Sequence, residues 1–396
     1  MKKGWEYKRI KDIGTVIAGT TPNTNVAEYW NGNLCWISPA ELDGSHYLYD
    51  SRKKITEAAV KAKSLRLLPE GTVILSSRAP IGKVVINKIP TYCNQGFKCV
   101  VCGKEVYNEF LFWWFWGKTE YLNSLGTGAT FKEISKKVVE EILIPVPPLS
   151  EQQRIVDYLD AAFAKIDAMK ANAEKALGEA KALFQASLKE MMEPKEGWEE
   201  KTLGDLVVSN VVGLTRGKVE QGYDKKYPYF KMNNISPDNT LCWDDLICVD
   251  ANEEELEKYC LQEGDFLFNT RNSKEWVGKS AVYRNFDTSV MLFNNNIMRI
   301  RFVDTINPIF IAYSFLADYT KNQIEKIKSG TTNVWAIYYR DLSKILLTFP
   351  PLSEQQRIVA TLDSLKSKVD RLQANFAKLS QECDALKQAI LRQVFE

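Results

Sequence analysis

The sequence predicts an α+β chain: two mixed α/β modules separated by a long antiparallel two-helix coiled coil, related by a pseudo-two-fold internal repeat. Three observations predict it. One ten-residue block occurs twice, apolar residues follow each copy at heptad spacing, and the link out of the first helix is too short to double back.

The block is the primary signal. Pro147-Pro148-Leu149-Ser150-Glu151-Gln152-Gln153-Arg154-Ile155-Val156 returns 203 positions later (Pro147 to Pro350) as Pro350-Pro351-Leu352-Ser353-Glu354-Gln355-Gln356-Arg357-Ile358-Val359. Weaker matches extend upstream. Gly4-Trp5-Glu6 answers Gly197-Trp198-Glu199, and Glu70-Gly71 through Arg78 answers Glu263-Gly264 through Arg271. Gly82-Lys83 answers Gly278-Lys279 after a short insertion. Asn94-Gln95-Gly96 falls on Asn294-Asn295-Asn296, and Gly128-Ala129-Thr130 on Gly330-Thr331-Thr332. The expected partition is module one over 1–146, a first spacer helix over 147–193, module two over 194–349 and a second spacer helix over 350–396.

Each block reads as a helix start. A proline pair cannot continue a helix backwards, and Ser150 with Gln153, like Ser353 with Gln356, fits a capping box. Beyond it, Ile155, Leu159, Ala162, Ile166, Met169, Ala173, Ala176, Ala180 and Leu183 alternate at spacings of four and three. The second helix offers Ile358, Leu362, Leu365, Val369, Leu372, Phe376, Leu379, Cys383, Leu386 and Ile390 in the same register. Small residues on one seam suit large ones on the other, so the helices are expected to pair with each other. At 1.5 Å per residue the first helix runs roughly 65 Å. The short Glu193-Pro194-Lys195-Glu196-Gly197 then starts module two near its far end, and the second helix must run back. Such a rod acts as a ruler between two heads.

Composition limits the function classes. A charged fraction of 26% and a hydrophobic fraction of 45% belong to a folded soluble chain, and a net charge of +2 gives no broad basic footprint. The most apolar run, Phe110 to Trp116, falls far short of the roughly 20 residues of a membrane span and reads as a buried helix. No targeting segment is read, so a cytoplasmic setting is expected, and scattered cysteines suit it. Cys99 and Cys102 have C-x-x-C spacing, but on a strand their sulfurs face opposite ways and no second pair completes a zinc site, so no metal is expected.

Catalytic signatures are weak. The nearest match to an adenine-methylating Asn-Pro-Pro-aromatic loop, Asn307-Pro308-Ile309-Phe310, lacks the second proline and reads better as a helix start. No P-loop occurs. His46, the only histidine, reads as a surface loop residue.

With these features in place the chain resembles the specificity subunits of type I restriction–modification systems. The doubled P-P-L-S-E-Q-Q-R-I start carries the resemblance, with Gly19-Thr20-Thr21-Pro22, Tyr29-Trp30-Asn31-Gly32, Trp36-Ile37-Ser38-Pro39, Ile81-Gly82-Lys83 and Asn94-Gln95-Gly96-Phe97. It implies a non-catalytic subunit in which each module is a target-recognition domain for one half of a split, asymmetric sequence in double-stranded DNA. It also implies that the helices set the gap and dock two methyltransferase subunits, and that restriction subunits complete the assembly. The chain would hold no cofactor; S-adenosylmethionine belongs to the methyltransferase partner, ATP and magnesium to the restriction partner. Two other classes stay open: an enzyme fused to such a reader, and a coiled-coil scaffold with no DNA role.

Base edges are read by Arg, Asn, Gln, Lys, Ser and Thr on loops. In module one the candidates are Thr20, Thr21, Ser38, Arg78, Lys83, Asn94, Gln95, Thr127, Thr130 and Lys132. In module two they are Asn233, Asn234, Arg271, Asn272, Lys274, Lys279, Asn294, Asn295, Lys328, Thr331, Thr332 and Asn333. Residues shared by modules that read different sequences favour frame or phosphate roles, so Arg78/Arg271 and Lys83/Lys279 stand between phosphate contact and structural ion pair. Module-unique stretches, Asn272 to Lys274 and the Thr127–Lys132 loop, are the expected readers.

Overall fold

A computed structural model describes residues 4–78, 80–128, 132–284, 290–331 and 334–396. It divides into two compact units. The first comprises residues 1–173 with 376–396, the second residues 174–375. Each unit therefore holds one module together with part of both long helices.

In the first unit, β1 (Glu6–Arg9) pairs antiparallel with β7 (Leu143–Val146), closing the module at its root. The central sheet is built from β2 (Gly14–Ala18), β3 (Tyr47–Leu48), β4 (Val73–Ser76), β5 (Val84–Asn87) and β6 (Phe97–Cys102), in the order β2-β6-β4-β5-β3. Strands β4 and β5 are buried throughout, as runs of Val, Ile and Leu covered on both faces should be. One cover is α1 (Asn108–Gly117), the aromatic run of the sequence, whose residues Glu109 to Phe115 are all buried. Cys99 lies in the core beside Cys93, with their sulfurs 3.5 Å apart.

The second unit repeats the plan. Its root pairs β8 (Glu199–Thr202) with β16 (Leu346–Phe349). Its main sheet contains β9 (Val207–Val212), β10 (Phe266–Asn269), β12 (Ser280–Val282) and β13 (Ile297–Phe302), in the order β9-β13-β10-β12. A small sheet follows the loop end: β11 (Arg271–Asn272), β14 (Ser329–Gly330) and β15 (Trp335–Ala336). The counterpart of α1 is α3 (Pro308–Leu316), with Asn307 as N-cap and Pro308 in its first turn, the helix start that the sequence predicts.

The long helices are α2 (Leu149–Met192) and α4 (Leu352–Phe395), 44 residues each. They run antiparallel within each unit. In the first, Asp167 pairs with Lys387 and Lys170 with Asp384, so one helix recedes as the other advances. In the second, Phe184, Leu188 and Met192 share a core with Ile358, Val359 and Leu362.

Two expectations about the helices need correction. The seam is displaced by one residue at alternate positions. Leu159 and Ile166 face inward as expected, but Met169 and Leu183 are exposed, and the inward places are Phe163, Leu177 and Phe184. On α4, Leu372 and Leu386 are likewise exposed, whereas Ile358, Leu362, Leu365, Val369, Leu379, Cys383 and Ile390 pack against the cores as expected. On α2 the neighbours Ala162 and Phe163, Ala176 and Leu177, and Leu183 and Phe184 lie 100° apart and are all apolar, so spacing alone did not choose between them. The capping boxes do not form either. Leu149 and Leu352 are already helical, Ser150 and Ser353 lie in the first turn, and Gln153 bonds forward to Asp157.

The preceding glutamines secure the helix starts instead. Gln152 and Gln355 are fully buried. Gln152 Oε1 accepts from the Tyr107 amide at 2.8 Å, and its Nε2 donates to the carbonyls of Glu105 at 2.9 Å and Pro147 at 2.8 Å. Gln355 repeats this with the Asn307 amide at 2.8 Å, Thr305 O at 3.1 Å and Pro350 O at 2.8 Å. A second tie lies about two turns along: Trp113 Nε1 donates to Asp160 at 2.9 Å, and Tyr313 Oη to Asp363 at 2.6 Å.

Candidate nucleic-acid interface

At one end of each main sheet the loops converge. In module one these follow β2, follow β4 and precede β6. Thr20 N donates to Cys93 O at 2.8 Å and Ser77 N to Gly96 O at 2.8 Å. Gly19 passes so close to this turn that a Cβ there would sit 1.9 Å from the Asn94 carbonyl, and one at Gly213 would sit 2.3 Å from that of Phe293. Both positions require glycine for close backbone approach.

Most polar candidates of module one bond within this cluster. Thr21 Oγ1 donates to Gln95 Oε1 and accepts from Asn94 Nδ2 at 2.7 Å, while Asn94 Oδ1 accepts from Gly96 N at 2.7 Å. Ser38 bonds Glu41 at the start of a short 3-10 turn. Gln95, Thr127 and Lys132 are exposed. Thr130 lies outside the described residues.

Arg78 belongs to a charged network. Its Nε donates to Glu133 Oε2 at 2.9 Å, while Lys98 donates to Glu133 Oε1 at 3.1 Å and Ser77 Oγ at 2.9 Å. Burial pushes the Glu133 carboxyl up, but the two bonded cations outweigh it and hold it below its ordinary 4.5. Lys83 is a frame residue: its ammonium donates to Leu42 O at 2.9 Å.

In module two the loops meet in the same way. Leu214 N donates to Phe293 O at 2.8 Å and Thr270 N to Asn296 O at 2.8 Å. Asn294 is buried and closes the turn by accepting from Asn296 N at 3.1 Å. Asn295 is half-buried beside it, and Asn233 lies in a neighbouring 3-10 turn. Asn234 is buried as the brace of that turn, accepting from Lys231 N at 2.9 Å and donating to Cys242 O at 3.2 Å. Lys279 donates to Met232 O at 2.8 Å and to Ile235 O, and burial lowers its pKa. Lys83 and Lys279 thus both bind carbonyls of their own module, and neither forms an ion pair among the described residues.

The exposed edge of module two is the segment around β11. Asn272 donates to Asn269 Oδ1 at 3.0 Å. The Lys274 ammonium lies 4.9 Å from the Trp335 ring centre, and Lys328, almost covered, donates to Lys274 O at 2.9 Å and pairs with Glu325. Arg271, Lys274 and Thr331 are exposed. Thr332 and Asn333 lie outside the described residues.

His46 does not lie in this cluster; it sits in the bend before β3 as a loop residue, but half-buried and bonded rather than free at the surface. Its Nε2 is 2.7 Å from Glu109 Oε2, and its ring stacks on Phe112 at 3.8 Å. Among the described residues no group of three or more His, Cys, Asp or Glu is placed to hold a metal, and no helix is long and apolar enough to cross a membrane.

Fold and loop cluster define a duplicated scaffold that presents one backbone frame twice, with different side chains at its tip. The chain belongs to the type I restriction modification DNA specificity domain family, whose model matches residues 2–177 and again 195–379. It is 30% identical to the type I restriction enzyme MjaIX specificity subunit of Methanocaldococcus jannaschii, over 97% of this chain and 92% of that one. It is 24% identical to the EcoKI specificity subunit of Escherichia coli K12, over 100% and 89%. Among solved structures, a chain from a study of complex assembly and conformational transition of the type I R-M system matches with a TM-score of 0.77 at 22% identity, over 100% of this chain and 98% of that one. The HsdS subunit from Thermoanaerobacter tengcongensis matches with a TM-score of 0.61 at 20% identity, over 100% and 97%.

Proposed function

We propose that this chain aims the chemistry of other subunits: module one reads one half of an asymmetric bipartite duplex target, module two reads the other, and the helices set the gap. The observation that carries the reading is the pairing of one frame with unlike loop tips. Identical frames place two readers alike, and unlike tips give them different half-sites. The chain is non-catalytic in this account. S-adenosylmethionine is held by the methyltransferase partner, ATP and magnesium by the restriction partner, and the setting is a prokaryotic cytoplasm.

Docking of two methyltransferase subunits draws support from the outer faces of the helices. Met169 and Leu386 in the first unit, and Leu183 and Leu372 in the second, are exposed, from 37% for Leu372 to 57% for Leu183. Met169 and Leu372 are repeat equivalents, as are Leu183 and Leu386. Each unit thus presents the same pair of apolar positions, and a repeated surface fits two copies of one partner. Exchange of residues 1–146 for another module of the family, followed by mapping of methylated adenines, tests the reading. One half of the target is expected to change. A change in both halves or neither overturns it.

A further inference from the structure

Backbone pairing aligns the two loop ends residue by residue. Arg78 and Thr127 both bridge to Glu133, as Arg271 and Ser329 both pair with Ala336. Lys98 faces Leu75 across β6 and β4, as Met298 faces Phe268 across β13 and β10. The counterparts are therefore Arg78 and Arg271, Glu133 and Ala336, Lys98 and Met298.

Only the arginine is common to both. In module one Glu133 takes both cations, so the charge of Arg78 is matched inside the module. In module two the alanine methyl cannot accept a hydrogen bond, and Met298 brings no charge. Arg271 is exposed, with no side-chain hydrogen bond or ion pair among the described residues. It sits at the loop end beside Lys274, while the nearby carboxylate Glu325 is engaged by Lys328. Glu275 is the remaining acid on the Asn272–Trp276 loop. An unmatched guanidinium is a rigid fork of donors suited to a guanine edge or to phosphate oxygens.

We infer that Arg271 contacts the DNA of module two's half-site, whereas Arg78 serves module one's own frame. This rests on the function proposed above. The test uses the full chain assembled with its methyltransferase partner, comparing wild type, Arg271→Ala and Arg271→Lys. Duplex affinity is measured across a salt series and methylated sites are mapped. Arg271→Ala is expected to weaken specific binding by roughly 5- to 150-fold, the worth of a good bidentate contact. A fall of about 0.9 in the slope of log K against log salt, largely restored by lysine, assigns the contact to phosphate. An unchanged slope, with one base relaxed in module two's half-site and no rescue by lysine, assigns it to a guanine edge. Wild-type affinity, slope and target in Arg271→Ala overturn the inference. Failure of the wild-type complex to retain its duplex selectively would instead overturn the proposed function.

Discussion

Module one and module two hang from their helices by the same joint and differ where they end. At the root, Gln152 and Gln355 make matching sets of bonds, and an aromatic donor on the apolar helix reaches an aspartate on the long helix in each. At the tip, module one is polar inside: Thr20, Cys93, Lys98 and Glu133. Module two places Leu214, Phe293, Met298 and Ala336 at the corresponding places. The difference separates what builds the frame from what is free to vary. Backbone bonds and buried amides fix the frame, and the side chains behind the loops diverge without disturbing it.

The largest test of that separation is at the joint. Replacing Gln152 or Gln355 by leucine keeps the volume but strands one amide and two carbonyls in the interior. Each variant is expected to lose about 3 kcal/mol in denaturant unfolding. A clear inequality between them would break the equivalence of the two roots.

The second tie should separate the modules by a smaller amount. Asp363 accepts from Tyr313 and also from Arg284 at 3.0 Å, whereas Asp160 accepts from Trp113 at 2.9 Å. Burial raises the Asp160 carboxyl against the pull of the Trp113 bond, so its charge is already disfavoured. Asp363→Asn is expected to cost about 1–2 kcal/mol and Asp160→Asn less than about 1 kcal/mol, with the ion-pair share kept small by solvent. Thermal unfolding measures both, and the reverse order would contradict the account.

The smallest effect is a pH dependence confined to module one. Glu133 titrates below its ordinary value in the fold, so its contribution is complete above 4.5 and is lost as pH falls through the lower folded value. The stability gap between wild type and Glu133→Gln should therefore be present at neutral pH and close in acid. A gap that widens in acid would reverse the assignment of charge.

Much of the frame was legible in the sequence because it is local or repeated. The doubled block, the apolar helix over Phe110 to Trp116, the strand ending at Cys102 and the cap at Asn307 all follow from spacing and residue type. The phase of the helix seam did not, because Ala162 and Phe163 are both apolar and the module shares that flank: Ile155 and Ala162 pack against its core. Gln152 was hidden by its neighbour, since a serine three residues before Gln153 offers a plausible cap. The loop cluster was partly visible through repeated Asn94/Asn294 and Arg78/Arg271. What each arginine does depends on position 133 or 336, more than fifty residues away, and that pairing is a property of the folded sheet.

The buried glutamines have one further consequence. All three of their partners, at both roots, are main-chain groups, so the joint inspects the path of the incoming chain and ignores its side chains. A module of quite different composition, cut and rejoined by recombination at this point, meets the same three groups. The helix start works as a standard fitting, and new target specificities can be assembled from existing parts without redesigning the shaft that carries them.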